Sequence, residues 1–146
     1  YNNQPWNFIY AKRDTPSWKV LFNLMGEFNQ SWTNNAAVLI VVISKNNFSH
    51  NNKLSRTHSF DTGAAWQSLA LQASVMGLVA HGMEGFDYEK AKQELNIPED
   101  YTVEAMVAIG KPGRKEDLSA ALQERELPSD RKSIQEFIFE GRFTEK

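Results

Sequence analysis

The sequence contains no cysteine, which excludes disulfides, Cys-ligated zinc sites, iron–sulfur clusters and thiol nucleophiles. It also lacks a long hydrophobic run, since the main apolar stretch, residues 38–43, is far shorter than the roughly 20 residues of a membrane-spanning helix. No signal-peptide pattern opens the sequence. We therefore expect a protein that does not associate with membranes and that lies in the cytoplasm.

An excess of either charge is also missing. The 16 Lys and Arg residues are nearly balanced by 18 Asp and Glu, and the formal net charge of -2 provides no basic field to hold DNA or RNA. Aromatic residues are plentiful instead, with 9 Phe, 4 Tyr and 4 Trp among 146 residues, and they supply a hydrophobic core. Length and composition therefore predict one globular domain over residues 1–146 that binds no nucleic acid.

The distribution of β-branched and aromatic residues predicts four strands. Residues 6–11 follow a proline, which favours an extended entry. Residues 38–43 are a continuous β-branched run, typical of a central strand that is buried on both faces. Residues 103–110 alternate in polarity and end at Lys-Pro-Gly, and residues 134–139 alternate as a terminal strand would.

Helical spacing of apolar residues predicts five helices. Asp87 is placed to cap one of them, and Gly82 is placed to end the longest. Residues 44–57, rich in Asn, Ser, Lys and His, are expected to form a long surface loop. The helices are predicted over residues 17–25, 29–35, 60–80, 87–95 and 118–124.

The helix predicted over residues 60–80 is apolar on most of its circumference. Such a helix has to be buried on most sides, and a small domain has little room to do that alone. We expect this helix to lie in the core of a dimer.

Motifs for several common chemistries are missing. The GKPG sequence at residues 110–113 lacks the length and the Ser or Thr of a phosphate-binding P-loop, and the segment around Gly82 is not GxGxxG. His81 and Glu84 have a spacing compatible with a metal, but His81 is better explained as a last-turn residue at the negative end of the helix. We expect no metal site and no catalytic side chain.

Two features each allow two interpretations. The glycines of Gly82-Met83-Glu84-Gly85 let the backbone approach the edge of a flat ligand, but the same residues also suit a helix cap followed by a turn. Arg131 is suited to bind a phosphate, or it lies on the surface in solvent. Residue types and spacing leave both pairs of alternatives open.

Six short segments, taken in order and with their spacing, resemble the FMN-dependent nitroreductase family over almost the whole chain. No single segment is specific, but six in register are hard to obtain by chance. The segments are NNQPW at residues 2–6, NQ at 29–30, DTGA at 61–64, MEGFD at 83–87, AIGKP at 108–112 and LPSDR at 127–131.

The resemblance implies an α+β fold in which a mixed, mostly antiparallel sheet is surrounded by helices and two subunits intertwine as a homodimer. It also implies that a C-terminal strand reaches across to the partner and that FMN is bound at the interface. The dimer expected from the helix over residues 60–80 agrees with this implication.

Position by position, the resemblance implies cofactor-binding roles for seven residues. Asn2 would lie near the flavin ring from the second subunit, and Asn29 would hydrogen-bond the polar edge of the flavin. Arg131 would pair with the FMN phosphate or its ribityl neighbourhood. The backbone beside the flavin N5 edge would come from Gly82, Met83, Glu84 and Gly85.

The sequence departs from the family pattern in three places. Ser129 stands where some relatives carry a second basic residue. Trp32 stands near a position that in some relatives is a lysine contacting the nicotinamide cofactor, so Trp32 is expected to contribute to substrate binding. The pattern usually opens with an Arg-Ser-x-Arg-type segment some tens of residues before NQPW; that segment is absent here, and we expect the sequence to be the remainder of a longer chain.

The function implied is a flavin-dependent oxidoreductase that moves electrons from NADH or NADPH through FMN to a nitroaromatic, quinone or similar electron-poor small molecule by a ping-pong mechanism. The flavin then does the redox chemistry, which explains why the sequence contains no recognisable nucleophile, metal cluster or carboxylate pair. The alternative is a flavin- or ligand-binding member of the same fold without useful turnover.

Overall fold

Four strands form one sheet in the computed structural model, which describes residues 2–144. They are β1 (Trp6–Lys12), β2 (Val38–Lys45), β3 (Val79–Met83) and β4 (Tyr101–Gly110). Their order is β1-β2-β4-β3, and each neighbouring pair is antiparallel. The strands predicted over residues 6–11, 38–43 and 103–110 are therefore confirmed.

Five helices accompany the sheet in this part of the chain. Each overlaps a helix predicted from the sequence. Asp87 caps its helix as expected, because its Oδ1 accepts a hydrogen bond from the Lys90 N–H at 2.9 Å. The α+β fold class is confirmed. The helices are α1 (Pro16–Phe22), α2 (Glu27–Thr33), α3 (His58–Val75), α4 (Tyr88–Glu94) and α5 (Ala120–Arg125).

The longest helix, α3, ends at Val75 rather than at residue 80. Gly77 follows with a φ of 70°, a left-handed conformation that glycine adopts easily. The Leu78 N–H then donates to the Ala73 carbonyl at 2.9 Å, which closes the last turn. Gly77 is therefore the residue that stops the helix.

Strand β3 occupies the segment that was expected to continue α3. Two predictions are therefore wrong, since Gly82 does not end the helix and His81 does not lie in its last turn; both belong to β3, which pairs with β4. The apolar residues 78–80 suit a strand as well as a helix, and the turn at Gly77 decides between them.

The terminal strand predicted over residues 134–139 is wrong. Ile134–Glu136 form a single 3-10 turn, and the Ser133 N–H donates to Glu136 Oε1 at 2.8 Å in front of it. Residues 137–144 contain no strand either. An alternating pattern becomes a strand only where a neighbouring strand takes its backbone hydrogen bonds, and no such neighbour is present for this segment among residues 2–144.

Residues 46–57 connect β2 to α3, and they fold onto themselves. The Phe48 N–H donates to the Lys53 carbonyl, and the Ser55 N–H donates to the Asn46 carbonyl, both at 2.8 Å. The predicted loop is confirmed from residue 46 onward, with a hairpin at its centre, whereas Ser44 and Lys45 belong to β2.

The sheet has a hydrophobic cluster on each face. On one face, alternate β2 residues such as Val41 pack with α1 and α4. On the other face, the intervening residues such as Val42 pack against Trp66 and Leu69 of α3. The central strand β2 is buried on both faces, as its continuous apolar run predicts.

The apolar circumference of α3 is only partly covered by its own chain. Of its residues, all of them described, Thr62 and Ala73 alone are buried, whereas Phe60 is 78% exposed and Val75 is 83% exposed. Burial on most sides therefore requires a second surface.

The described chain divides into two compact units between Pro112 and Gly113. The first unit holds the sheet and helices α1 to α4, and the second holds α5 and two 3-10 turns. No helix among residues 2–144 combines the length and the apolar character that crossing a membrane demands.

Candidate functional site

The first unit contains an open cleft of about 770 Å³. One wall is formed by residues 23–29, which connect α1 to α2 and begin α2. The other wall is formed by residues 81–87, which include the end of β3 and the link to α4, and Lys90 completes the lining. The cleft therefore lies where the α1–α2 connection meets the edge strand of the sheet.

Backbone hydrogen bonds join the two walls. Met25 and Phe86 form an antiparallel bridge, and the Asp87 N–H donates to the Leu24 carbonyl at 2.8 Å. The walls thus form one hydrogen-bonded unit although they are distant in sequence.

The Gly85 carbonyl is the centre of this connection. It accepts hydrogen bonds from the Gly26 N–H at 3.1 Å and from Asn29 Nδ2 at 2.9 Å. Asn29 is buried, and a Cβ atom on residue 85 would lie only 2.7 Å from its Nδ2. Two residues to which the resemblance assigns cofactor roles, Asn29 and Gly85, are therefore in direct contact.

Gly82 and Met83 end β3 and face opposite sides of the sheet. A Cβ atom on Gly82 would lie 3.2 Å from Cζ2 of Trp66 on α3. Met83 is buried in the cluster that includes α1 and α4. The interpretation of residues 82–85 as a helix cap and turn is wrong, because Gly82 and Met83 end strand β3, and Glu84 and Gly85 begin its link to α4.

Charged side chains line the rim of the cleft. The carboxylates are those of Glu27, Glu84 and Asp87. The ammonium of Lys90 donates to the Asn23 carbonyl at 3.1 Å, so this lysine is bound to the protein backbone.

Tyr88 follows the second wall, and its ring stacks on Phe86 with the centroids 4.1 Å apart. Partial burial raises the pKa of the Tyr88 phenol above its usual value of 10.0, and the negative charges of Glu84 and Glu104 raise it further. Tyr88 is therefore a neutral phenol at physiological pH.

Trp32 of α2 packs against His81 of β3, with ring centroids 4.6 Å apart and planes inclined by 53°. His81 lines the cleft, and Trp32 is half-buried beside it. Sequence reasoning misses His81 as a cleft residue because it places the residue in a helix. The signal that finds it is Gly77, since a helix stop there puts His81 and Met83 on the same side of a strand.

Two further candidate residues lie elsewhere. Asn2 is exposed and does not line the cleft of its own chain; the resemblance assigns it to the flavin of the partner, so its role stays a prediction. Arg131 belongs to the second unit, where Nη1 donates to the Ser129 carbonyl at 2.8 Å and to Ser129 Oγ at 2.9 Å. Its phosphate contact also stays a prediction.

A separate polar cluster fixes the first turn of α3. A register shift between β2 and β4 leaves Glu104 as an extra residue, and its Oε1 accepts from Ser44 Oγ at 2.5 Å and from Ser59 Oγ at 2.7 Å. The His58 Nδ1 lies 2.7 Å from the same Ser44 Oγ. Across residues 2–144, no group of three or more His, Asp or Glu side chains is arranged to hold a metal ion.

A sequence model of the nitroreductase family matches residues 2–111, which include both walls of the cleft. The chain belongs to the nitroreductase family. The resemblance to this family is therefore confirmed, although the segment at residues 127–131 lies outside the matched range.

Two curated relatives share part of this nitroreductase sequence. An uncharacterized 15.4 kDa protein of Mycolicibacterium smegmatis is 31% identical over 114 residues, which are 77% of this chain and 76% of that protein. Protein DrgA of Synechocystis is 46% identical over 55 residues, which are 38% of this chain and 25% of DrgA. The match to DrgA thus spans only a quarter of its length.

Solved structures reproduce the nitroreductase fold of this chain. One, described as the oxidoreductase containing FMN, is 47% identical with a TM-score of 0.93, and the match covers 99% of this chain and 75% of that one. A putative nitroreductase from Desulfovibrio desulfuricans, solved in complex with FMN, is 23% identical with a TM-score of 0.66, over 98% of this chain and 76% of that one. The second likeness shows the fold alone.

Proposed function

We propose that the protein is a flavin-dependent oxidoreductase that moves electrons from NADH or NADPH through FMN to nitroaromatic, quinone or similar electron-poor acceptors. The observation that carries the proposal is the wall formed by residues 82–85, locked to Asn29 within a nitroreductase-family fold. The 47% identical oxidoreductase, described as containing FMN, supports the same cofactor here.

The residues of the cleft fit a flavin. Its volume of about 770 Å³ lies within the roughly 300–1,000 Å³ typical of small-molecule sites. The hydrogen bonds that join the walls use the Gly85 carbonyl and not the N–H groups of Glu84 and Gly85, so these donors remain for a ligand. A polar, planar edge such as that of an isoalloxazine matches this set of backbone groups.

Asn29 would recognise the polar edge of the flavin through its side-chain amide. One Nδ2 hydrogen is donated to the Gly85 carbonyl, and Oδ1 remains as an acceptor for a ligand. The matching group on the ligand is an N–H donor. The backbone of Gly82, Met83, Glu84 and Gly85 would lie beside the N5 edge, where backbone dipoles favour the negative charge of a reduced flavin.

The resemblance assigns the remaining parts of the site to a second subunit and to Arg131. The exposed apolar surface of α3, including Phe60 and Val75, supports a homodimer in which Asn2 reaches the partner's flavin. Arg131 would pair with the FMN phosphate or ribityl chain. We retain a single FMN-binding domain over residues 1–146 as part of this proposal.

The acceptor would lie against aromatic side chains. Trp32 supports His81 at the cleft, and the pair offers a surface on which a flat, electron-poor ring can pack. When bound, FMN would supply the redox chemistry, with donor and acceptor using the site in turn by a ping-pong mechanism. The chain's own task is to hold and orient the reactants, so no nucleophile or essential acid is needed.

The proposal is tested with the purified full chain mixed with FMN at micromolar concentration. We expect a yellow protein that oxidises NADH or NADPH when a nitroaromatic or a quinone is added. A colourless dimer that takes up no FMN would exclude the proposal. Bound flavin that stays oxidised in excess NADH and NADPH would instead identify a flavin-binding member of the fold without turnover.

A further inference from the structure

Trp66 of α3 reaches the wall of the cleft from the opposite face of the sheet. Its indole belongs to the cluster formed with Val42 and Val107 of the central strands. At the far end of the indole, Cζ2 would lie only 3.2 Å from a Cβ atom added to Gly82. The indole is thus in close contact with the backbone of residue 82.

The contact matters because β3 is an edge strand. Among the described strands it pairs only with β4. Its position perpendicular to the plane of the sheet therefore depends on what packs against its two faces. Met83 fixes one face by its burial in the cluster near α1 and α4. On the other face, Gly82 meets the Trp66 ring.

The segment that leaves β3 is therefore held at two points. Trp66 holds it at Gly82, and the Asn29 side chain holds it at Gly85. Neither glycine has a positive φ, so each is required by the space that a neighbouring side chain occupies and not by backbone conformation.

We propose that Trp66 is a positioning residue for the cofactor site, and this proposal rests on the proposed binding of FMN. The indole lies in the volume that Gly82 leaves open. It thereby sets the position, perpendicular to the sheet, of the backbone from Gly82 to Gly85 against which FMN binds. Trp66 itself touches no ligand; it acts through the strand.

The test compares four full-length proteins: the wild type, Gly82→Ala, Trp66→Phe and the double variant. Phenylalanine keeps an aromatic ring in the cluster but lacks Cζ2, the atom nearest to Gly82. Gly113→Ala is the matched control, since a Cβ there meets nothing within 4 Å and the backbone is not left-handed. The readouts are the FMN dissociation constant, the visible circular dichroism of bound FMN, and the unfolding midpoint without FMN.

Coupling between the two positions is the expected result. Gly82→Ala raises the FMN dissociation constant by about tenfold or more and alters the visible circular dichroism, because the new methyl group pushes the strand away from the indole. The double variant recovers most of the affinity and the wild-type spectrum, since the smaller ring of Trp66→Phe vacates the contested space. The Gly113→Ala control binds FMN as the wild type does.

Other outcomes overturn the proposal. If the losses of the two single variants add up in the double variant, or if Gly82→Ala binds FMN with unchanged affinity and spectrum, Trp66 does not position the site. If Gly82→Ala does not fold, a folded, FMN-binding double variant supports the proposal, and a double variant that also fails to fold contradicts it. A wild-type protein without FMN binding defeats the proposed function itself, whereas normal wild-type binding with additive losses defeats only the role of Trp66.

Discussion

The Asn29 side chain donates to the Gly85 carbonyl at 2.9 Å, across 56 positions of sequence. This bond joins the first turns of α2 to the segment that leaves β3, and it is buried at the Asn29 end. The shape of the cleft wall thus depends on an amide at position 29 and on the absence of a Cβ at position 85.

Gly85→Ala should disrupt this wall. The added methyl group would lie 2.7 Å from Asn29 Nδ2, so either the amide or the backbone has to move. We expect a loss of about 1–3 kcal/mol in the free energy of unfolding, measured by denaturant titration, together with weaker FMN binding. Gly113→Ala, which adds a methyl group in open space, should change neither quantity; equal behaviour of the two variants would contradict the steric argument.

Asn29→Asp tests the amide donor. The carboxylate has no N–H to give to Gly85, and it places a buried negative charge against a carbonyl oxygen, so we expect a loss of about 2–3 kcal/mol at neutral pH. Burial favours the protonated acid and raises its pKa in the folded state above the unfolded value of about 3.9. The difference in the free energy of unfolding between the wild type and Asn29→Asp should therefore become smaller as the pH falls toward about 3.9.

The measurement for Asn29→Asp is denaturant unfolding at several pH values. Asn35→Asp is the control, because Asn35 is exposed at the end of the same helix region. A loss of the same size in both variants at neutral pH would indicate that the introduced charge, and not the missing donor at position 29, causes the effect.

The sequence predicts three of the four described strands and most of the helices because their signals are local. The β-branched run of β2 is buried on both faces, and Asp87 caps α4, as their residue types indicate. The end of α3 is harder, since residues 78–80 fit both a helix and a strand. Only the pairing of β3 with β4, set by contacts remote in sequence, removes the ambiguity.

The candidate site also combines features that the local sequence signals with contacts that are remote in sequence. The glycines at 82 and 85 signal a close approach to the backbone, and both residues do have such a neighbour. The neighbours are protein side chains, Trp66 and Asn29, and nothing in the local sequence identifies them. The bulged Glu104 is equally hidden, because its connection to Ser44 arises from a register shift between two strands.

Tyr88 should titrate above the usual range for tyrosine. Partial burial, followed by the charges of Glu84 and Glu104, raises the pKa of its phenol in the folded state. Because the folded pKa is the higher one, Tyr88 contributes stability that is complete below the unfolded pKa of about 10 and is lost as the pH rises through the folded pKa. As the pH rises from just below 10 to well above 10, the free energy of unfolding should therefore fall less for Tyr88→Phe than for the wild type.

The difference in phenolate absorbance between the wild type and Tyr88→Phe, recorded against pH, isolates the titration of this residue. Glu84→Gln should move the midpoint of that difference curve downward, since it removes a negative charge that opposes ionisation. Tyr10→Phe removes an exposed phenol and serves as the control for the stability measurement. A Tyr88 midpoint at or below that of a free tyrosine would contradict the environment described above.

Val75→Glu should weaken the proposed homodimer. Val75 is 83% exposed on α3, and Leu71, four residues earlier on the same side of the helix, is 59% exposed, so the pair forms an apolar stripe that a partner would cover. A buried glutamate there loses apolar burial and desolvates a charge, which should raise the dimer dissociation constant by at least about tenfold in sedimentation equilibrium. Leu54→Glu changes an apolar side chain that is 70% exposed outside α3 and should leave the dissociation constant unchanged. If both variants remain as dimeric as the wild type, α3 is not the contact surface, and Asn2 then has no route to a partner's flavin through this face.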